Sequence, residues 1–175
     1  MHVMMDLETL DTKPGAVLLS IGAVVFDYKN DLLGAEFHQI INVASSVAAG
    51  CTISQSTTDW WAKQSAEARK TLDDAQAGKG KDLRDVLLNF GHYLDVLGPP
   101  SKTLLWGNGS DFDNVLLIAA YEKAGLTPPW KFYNNRCYRT LKSLKPGIKL
   151  TREGTYHNAL DDAKTQARHA IQLLR

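Results

Sequence analysis

Val3-Met4-Met5-Asp6-Leu7-Glu8-Thr9 decides how this chain folds and where its chemistry sits. Val3-Met4-Met5 reads as a strand, and strand side chains two apart point to the same face. Asp6 and Glu8 therefore project together from one edge of a sheet. Like charges held close destabilise each other unless one is protonated or a cation lies between them, and an all-oxygen site suits Mg²⁺ or Mn²⁺.

The surrounding chain is ordinary in composition. Its 175 residues, 44% hydrophobic and 22% charged, are enough to bury a core and predict one domain over residues 1–175. No apolar run approaches the roughly 18 residues of a membrane span, and the first residues lack the regions of a signal peptide. A cytoplasmic location is expected. Cys51 and Cys137 lie far apart and form no metal-type pair, so free thiols are the expectation.

Beyond a Pro14-Gly15 turn, the pattern predicts strands over 17–26 and 36–43, joined by the polar turn Tyr28-Lys29-Asn30-Asp31. A helix is predicted over 56–77, broken by Gly78-Lys79-Gly80. Leu83, Leu87, Phe90, Leu94 and Leu97 recur at three- and four-residue steps and mark another. A strand at 103–106, a helix from about 113 to 124, a fifth strand at 132–138, a short helix at 140–144 and a final helix at 158–174 follow. Three antiparallel N-terminal strands, followed by alternating helices and strands, predict an α/β fold with a mixed sheet flanked by helices.

Two further places offer acids. In Gly107-Asn108-Gly109-Ser110-Asp111-Phe112-Asp113-Asn114, a strand passes into a helix, and either Asp can cap the helix while the other meets a metal. Asp113 is in phase with Leu117 and Ala120 and faces inward; Asp111 suits the cap or the surface. In Tyr156-His157-Asn158-Ala159-Leu160-Asp161-Asp162-Ala163, about 100° per residue sets Asp162 beside the apolar face and turns Asp161 to water. Asn158 is a good cap, and Asp161 suits the helix N-terminus. His157 sits on the loop before the helix, where a structural role and a site role are both open.

Asp6-Leu7-Glu8, Phe112-Asp113-Asn114, and His157 followed five residues later by Asp162 resemble the three motifs of the DEDDh group of DnaQ-like 3′–5′ exonucleases, which have a ribonuclease H-like fold. The wording of the motifs, with Thr58-Asp59-Trp60-Trp61, is most similar to the compact exoribonuclease-like branch of bacteria and phages. The resemblance implies that Asp6, Glu8, Asp113 and Asp162 hold two divalent ions, Mg²⁺ or Mn²⁺, and that His157 is the general base. It implies hydrolysis from the 3′ end of single-stranded nucleic acid, RNA favoured over DNA. Thr9 and Leu10 are implied contacts of the terminal nucleotide, and a homodimer is expected by analogy. Many relatives carry a small residue where Asp111 stands.

Charge and aromatic residues suggest further contacts. Seven of the 20 basic residues fall between Lys131 and Arg152 with no acid among them, leaving 13 basic against 19 acidic elsewhere. Arg136, Arg139 and Lys142 are the candidates for backbone phosphates, against the alternative of a solvated face. Phe112, Tyr156 and the Trp60-Trp61 pair are candidates for base stacking, although burial is the stronger account for Trp60, Trp61 and Phe112. Two other functions fit the residues: a silent nucleic-acid-binding module of the same fold, and a metal-dependent nucleotide phosphohydrolase.

Overall fold

The computed structural model describes residues 1–175. Its centre is a five-stranded sheet of β1 (His2–Thr9), β2 (Leu18–Asp27), β3 (Leu32–Ile40), β4 (Leu104–Gly107) and β5 (Asn135–Cys137), in the order β3-β2-β1-β4-β5. The first three strands pair antiparallel, whereas β4 runs parallel to both β1 and β5. The expected mixed α/β sheet is present.

Alternation along β1 sorts its side chains between two cores. Val3, Met5 and Leu7 join a large cluster with residues of α3 (Ala66–Gln76), α4 (Leu83–Leu97) and α5 (Asp113–Lys123). Met4 belongs to a smaller cluster with α6 (Tyr138–Leu144) and α7 (Ala159–Leu174). Asp6 and Glu8 continue the Met4 row and so face α7. That helix lies close because Ala159, Ala163, Ala167 and Ala170, all fully buried, line its inner side.

Helix α7 approaches β2 closely at Gly22, the partner of Asp6 across the ladder. A Cβ on Gly22 would fall 2.1 Å from the Ala159 carbonyl carbon and 2.2 Å from the Leu160 nitrogen. Glycine there lets the start of α7 reach the acidic end of β1.

Several boundaries differ from the sequence reading. The third strand runs over Leu32–Ile40 rather than 36–43, because Asn42 starts a short helix, α1 (Val43–Ala48), by accepting from the Ala44 and Ser45 amides. The 56–77 segment is two helices, α2 (Gln55–Ala62) and α3, since Ser54 and Ser65 each cap a new start. Of the strand expected at 132–138, only Asn135–Cys137 is extended; Phe132–Asn134 is a 3₁₀ turn and Tyr138 opens α6. Both cysteines are free.

Candidate active site

Asp6 and Glu8 reach one cavity of about 590 Å³, into which α2, the end of β4 and the start of α7 also project. The Gln166 side-chain amide donates to Asp6 Oδ1 at 2.7 Å. One ligand atom each of Glu8, His157 and Asp162 lies within 4.8 Å of the others. Asp113 stands at the first position of α5, 2% exposed, with Oδ2 lacking any hydrogen-bond partner. A Cβ on Gly107 would meet Asp113 Cβ and Asn114 Oδ1 at 2.8 Å, so glycine at the end of β4 lets the first turn of α5 fold over it.

The start of α7 is built with equal care. Asn158 Oδ1 accepts from the Leu160 and Asp161 amides, and His157 takes the left-handed conformation at φ 61°. For a non-glycine residue that costs about 1 kcal/mol. The His157 amide repays it by donating to Asp162 Oδ2 at 3.0 Å. The imidazole packs edge-on against Trp60, 4.8 Å between centroids, and Trp61, at 6.0 Å. Trp61 is 1% exposed and its indole N–H donates to the Thr9 carbonyl at 2.8 Å, which ties α2 to the end of β1.

Burial dominates the electrostatics. It pushes Asp6 well above the usual carboxylate range, with Asp113, Glu8 and Asp162 adding repulsion and Gln166 opposing. Glu8 is pushed up to about 8 by burial, then by Asp162 and Asp113, against Arg152. Asp113 rises to about 7 through burial, opposed by backbone amides and Arg139. His157 is lowered, again by burial first. Three buried acceptors at the site, Asp113 Oδ2, Asn108 Oδ1 and Gln166 Oε1, have no donor. Crowded carboxylates and acceptors without donors fit an oxygen-bound divalent cation.

The same shifts predict how ion-free protein responds to pH. Folded-state values raised above the unfolded value of about 4 mean that the folded chain holds more protons than the unfolded one. The resulting stability is complete below the unfolded value and is lost as pH climbs through about 7 and about 8. Thermal melts in chelator should fall between about pH 4.5 and about 8 and level off above, and Mn²⁺ should flatten the trend. A melting temperature that rises over that window without metal would contradict the electrostatics.

Thr9, Phe112, Lys142, Trp60 and Trp61 line the cavity with Asp6, Glu8, His157 and Asp162. Asp113 does not line the cavity, but its charge raises Asp6 and Glu8, which do. Four proposed contacts do not line it. Leu10 is 1% exposed in the large core. Tyr156 is exposed, with its ring under the Arg152 guanidinium. Arg136 donates to the Tyr133 and Asn135 carbonyls, and Arg139 to the Asn108 carbonyl, so both fasten backbone. Asp111 is exposed, and α5 has no side-chain cap, so it does not cap the helix. Asp161 is held inward by the Thr155 amide at 2.8 Å rather than turned fully to water.

Arg152, Gln166, Thr12, Ser56 and Thr57 also line the cavity and were not singled out by sequence. Arg152 forms an ion pair with Asp162. Its signal in the sequence was its position, the last cation of the basic run and ten residues before an acid of the third motif.

The family model described as the 3′-5′ exoribonuclease Rv2179c-like domain matches residues 1–174. No curated protein sequence matches the chain. Among solved structures, the nuclease domain of 3′hExo, a DEDDh family member bound to rAMP, is 17% identical with a TM-score of 0.65, over 99% of this chain and 90% of that one. A 3′-exonuclease structure concerned with recognition of the histone mRNA stem-loop is 15% identical, TM-score 0.66, over 99% and 80%. E. coli Exonuclease I with a dT13 oligonucleotide is 16% identical, TM-score 0.66; the match takes in 98% of this chain and 40% of that one. At these identities the likeness is one of fold.

Proposed function

The chain belongs to the 3′-5′ exoribonuclease Rv2179c-like domain family, and from that membership we propose that residues 1–175 act as one domain releasing nucleotides from the 3′ end of single-stranded RNA, with DNA the poorer substrate. The observation that carries this reading is the convergence of Asp6, Glu8, Asp113 and Asp162 with His157 on one end of the sheet. Exonucleases of the DEDDh group use divalent metals. The four carboxylates are the residues that would hold two Mg²⁺ or Mn²⁺ ions here. Such ions supply Lewis-acid stabilisation of charge on phosphate and lower the pKa of water.

The chain's own groups do the rest. His157, kept below its usual pKa by burial, is neutral near pH 7 and able to take a proton from an attacking water. Trp60 and Trp61 hold its ring, while the Asp162 carboxylate fixes its backbone. Gln166 orients Asp6. Phe112 and Trp60 offer flat faces to a terminal base, and Thr9, Thr12, Ser56 and Thr57 offer hydroxyls to a ribose, whose 2′-OH distinguishes RNA from DNA. Of Arg136, Arg139 and Lys142, only Lys142 lines the cavity, and it is offered as a phosphate contact. A homodimer that completes the cleft is an added proposal, checked by light scattering; a strict monomer removes it.

Matched end-labelled RNA and DNA oligomers with Mg²⁺ or Mn²⁺ provide the test. A ladder of single-nucleotide steps, faster on RNA, is expected, and His157→Ala should slow it about 10²- to 10⁴-fold without abolishing metal binding. Binding without products would favour the silent module. Cleavage of free nucleotides alone would favour the phosphohydrolase.

A further inference from the structure

Arg152 is held by three contacts and left with one donor unpaired. Its guanidinium pairs with Asp162, Nη2 donates to the Thr155 carbonyl at 3.3 Å, the group lies 3.9 Å above the centre of the exposed Tyr156 ring, and Nε is buried with no acceptor. An arginine placed as a permanent brace would satisfy that Nε, because an unpaired buried donor is costly. Asp162 meanwhile has both oxygens engaged, Oδ1 by Arg152 and Oδ2 by the His157 amide. A divalent ion drawn to Oδ1 meets a guanidinium already on that atom, and two cations so close repel.

The loop itself does not depend on this pair. The Glu153 amide donates to Thr165 Oγ1, whose hydroxyl donates back to the Glu153 carbonyl, and Glu153 pairs with Arg168. The Thr155 amide is fixed by Asp161 and that of His157 by Asp162. With the backbone anchored to α7 at these points, the Arg152 side chain, 21% exposed, is free to leave without unfastening the segment.

Resting on the metal-site reading above, we propose that Arg152 is an exchangeable cation: it neutralises Asp162 while no ion is bound, and a divalent ion displaces it into the cavity, where it grips a phosphate of the bound strand. Its fork of N–H donors matches phosphate geometry. The chain thereby couples metal loading to substrate grip.

The test is Mn²⁺ titration calorimetry on the parent, Arg152→Gln and Arg152→Lys, with single-stranded RNA binding in Mn²⁺ measured in a His157→Ala background so that the strand survives. Arg152→Gln should bind Mn²⁺ about tenfold more tightly, whereas Arg152→Lys, which keeps the charge, should stay near the parent. RNA affinity of the Gln variant should drop several-fold, and the slope of log affinity against log salt should shrink by about 0.7, the share of one phosphate contact on a single strand. Unchanged or weaker Mn²⁺ binding by Arg152→Gln overturns the exchange. Tighter Mn²⁺ binding with an unchanged RNA salt slope overturns the grip on phosphate. A parent protein that binds no Mn²⁺ fails the metal-site reading instead, a different result from either. If the Gln variant does not fold, Arg152→Met, which keeps the stem over Tyr156, answers the same questions.

Discussion

Asp113→Ala is expected to lower the rate of the RNA ladder by on the order of 10³-fold while leaving the ion-free protein at least as stable as its parent. The two halves of this result have one cause. Asp113 is 2% exposed, has an oxygen with no donor, and adds repulsion to Asp6 and Glu8. Without a cation its charge is a burden that burial makes worse, and removing it relieves both neighbours. With a cation the same charge becomes useful, and its loss removes a ligand. Asp113→Asn, which keeps the volume, separates loss of charge from loss of packing. Asp111→Ala, at an exposed position two residues earlier, should behave as the parent. Melts with chelator and with Mn²⁺, run beside the ladder, measure both halves; full activity of Asp113→Ala would remove Asp113 from the site.

Gly22→Ala should be the most destabilising single methyl group in the chain's sheet. Its Cβ would lie 2.1–2.3 Å from backbone atoms of Ala159 and Leu160, and backbone cannot swing aside as a flexible side chain can. Either α7 moves off the sheet or β2 bends, at a cost of about 3 kcal/mol or more, which for a chain this size is a drop of roughly 10 °C in melting temperature. Because α7 begins beside His157 and carries Asp162, activity should fall further than the melt alone implies. Gly147→Ala, where a Cβ would meet nothing within 4 Å, is the control. Equal melting temperatures for the two variants would mean that the close approach at Gly22 is absent in solution.

The placement of the candidate acids was largely legible because it obeys local rules. Period-two alternation placed Asp6 and Glu8 on one face, and helix phase separated Asp162 from Asp161 and Asp113 from Asp111. What escaped depends on capping or on long-range partners. Val43 looked like strand, yet Asn42 caps a helix there; Ser65 restarts a helix within a stretch whose apolar pattern runs on. Leu10 adjoins an acidic motif by sequence, but the chain turns it into the core. Arg136 and Arg139 are basic, and nothing local reveals that they hold carbonyls instead of facing the cavity. Arg152 lies on a loop without periodicity, so its pairing with an acid on the following helix left only a charge pattern to read.

The sheet order β3-β2-β1-β4-β5 has a consequence for how the protein comes into being. Its first strand is its middle strand, and the parallel partner β4 begins about a hundred residues after it. Pairings of such sequence separation close late, because loop entropy opposes them. Helix α7, which brings Asp162, follows β5 in the chain and packs on strands formed by the first forty residues. Asp6 and Asp162 are separated by 155 residues of chain and meet only where α7 packs on the sheet. The candidate site therefore exists only in the folded chain, and whatever loosens α7 from the sheet disperses its acids before the N-terminal strands come apart.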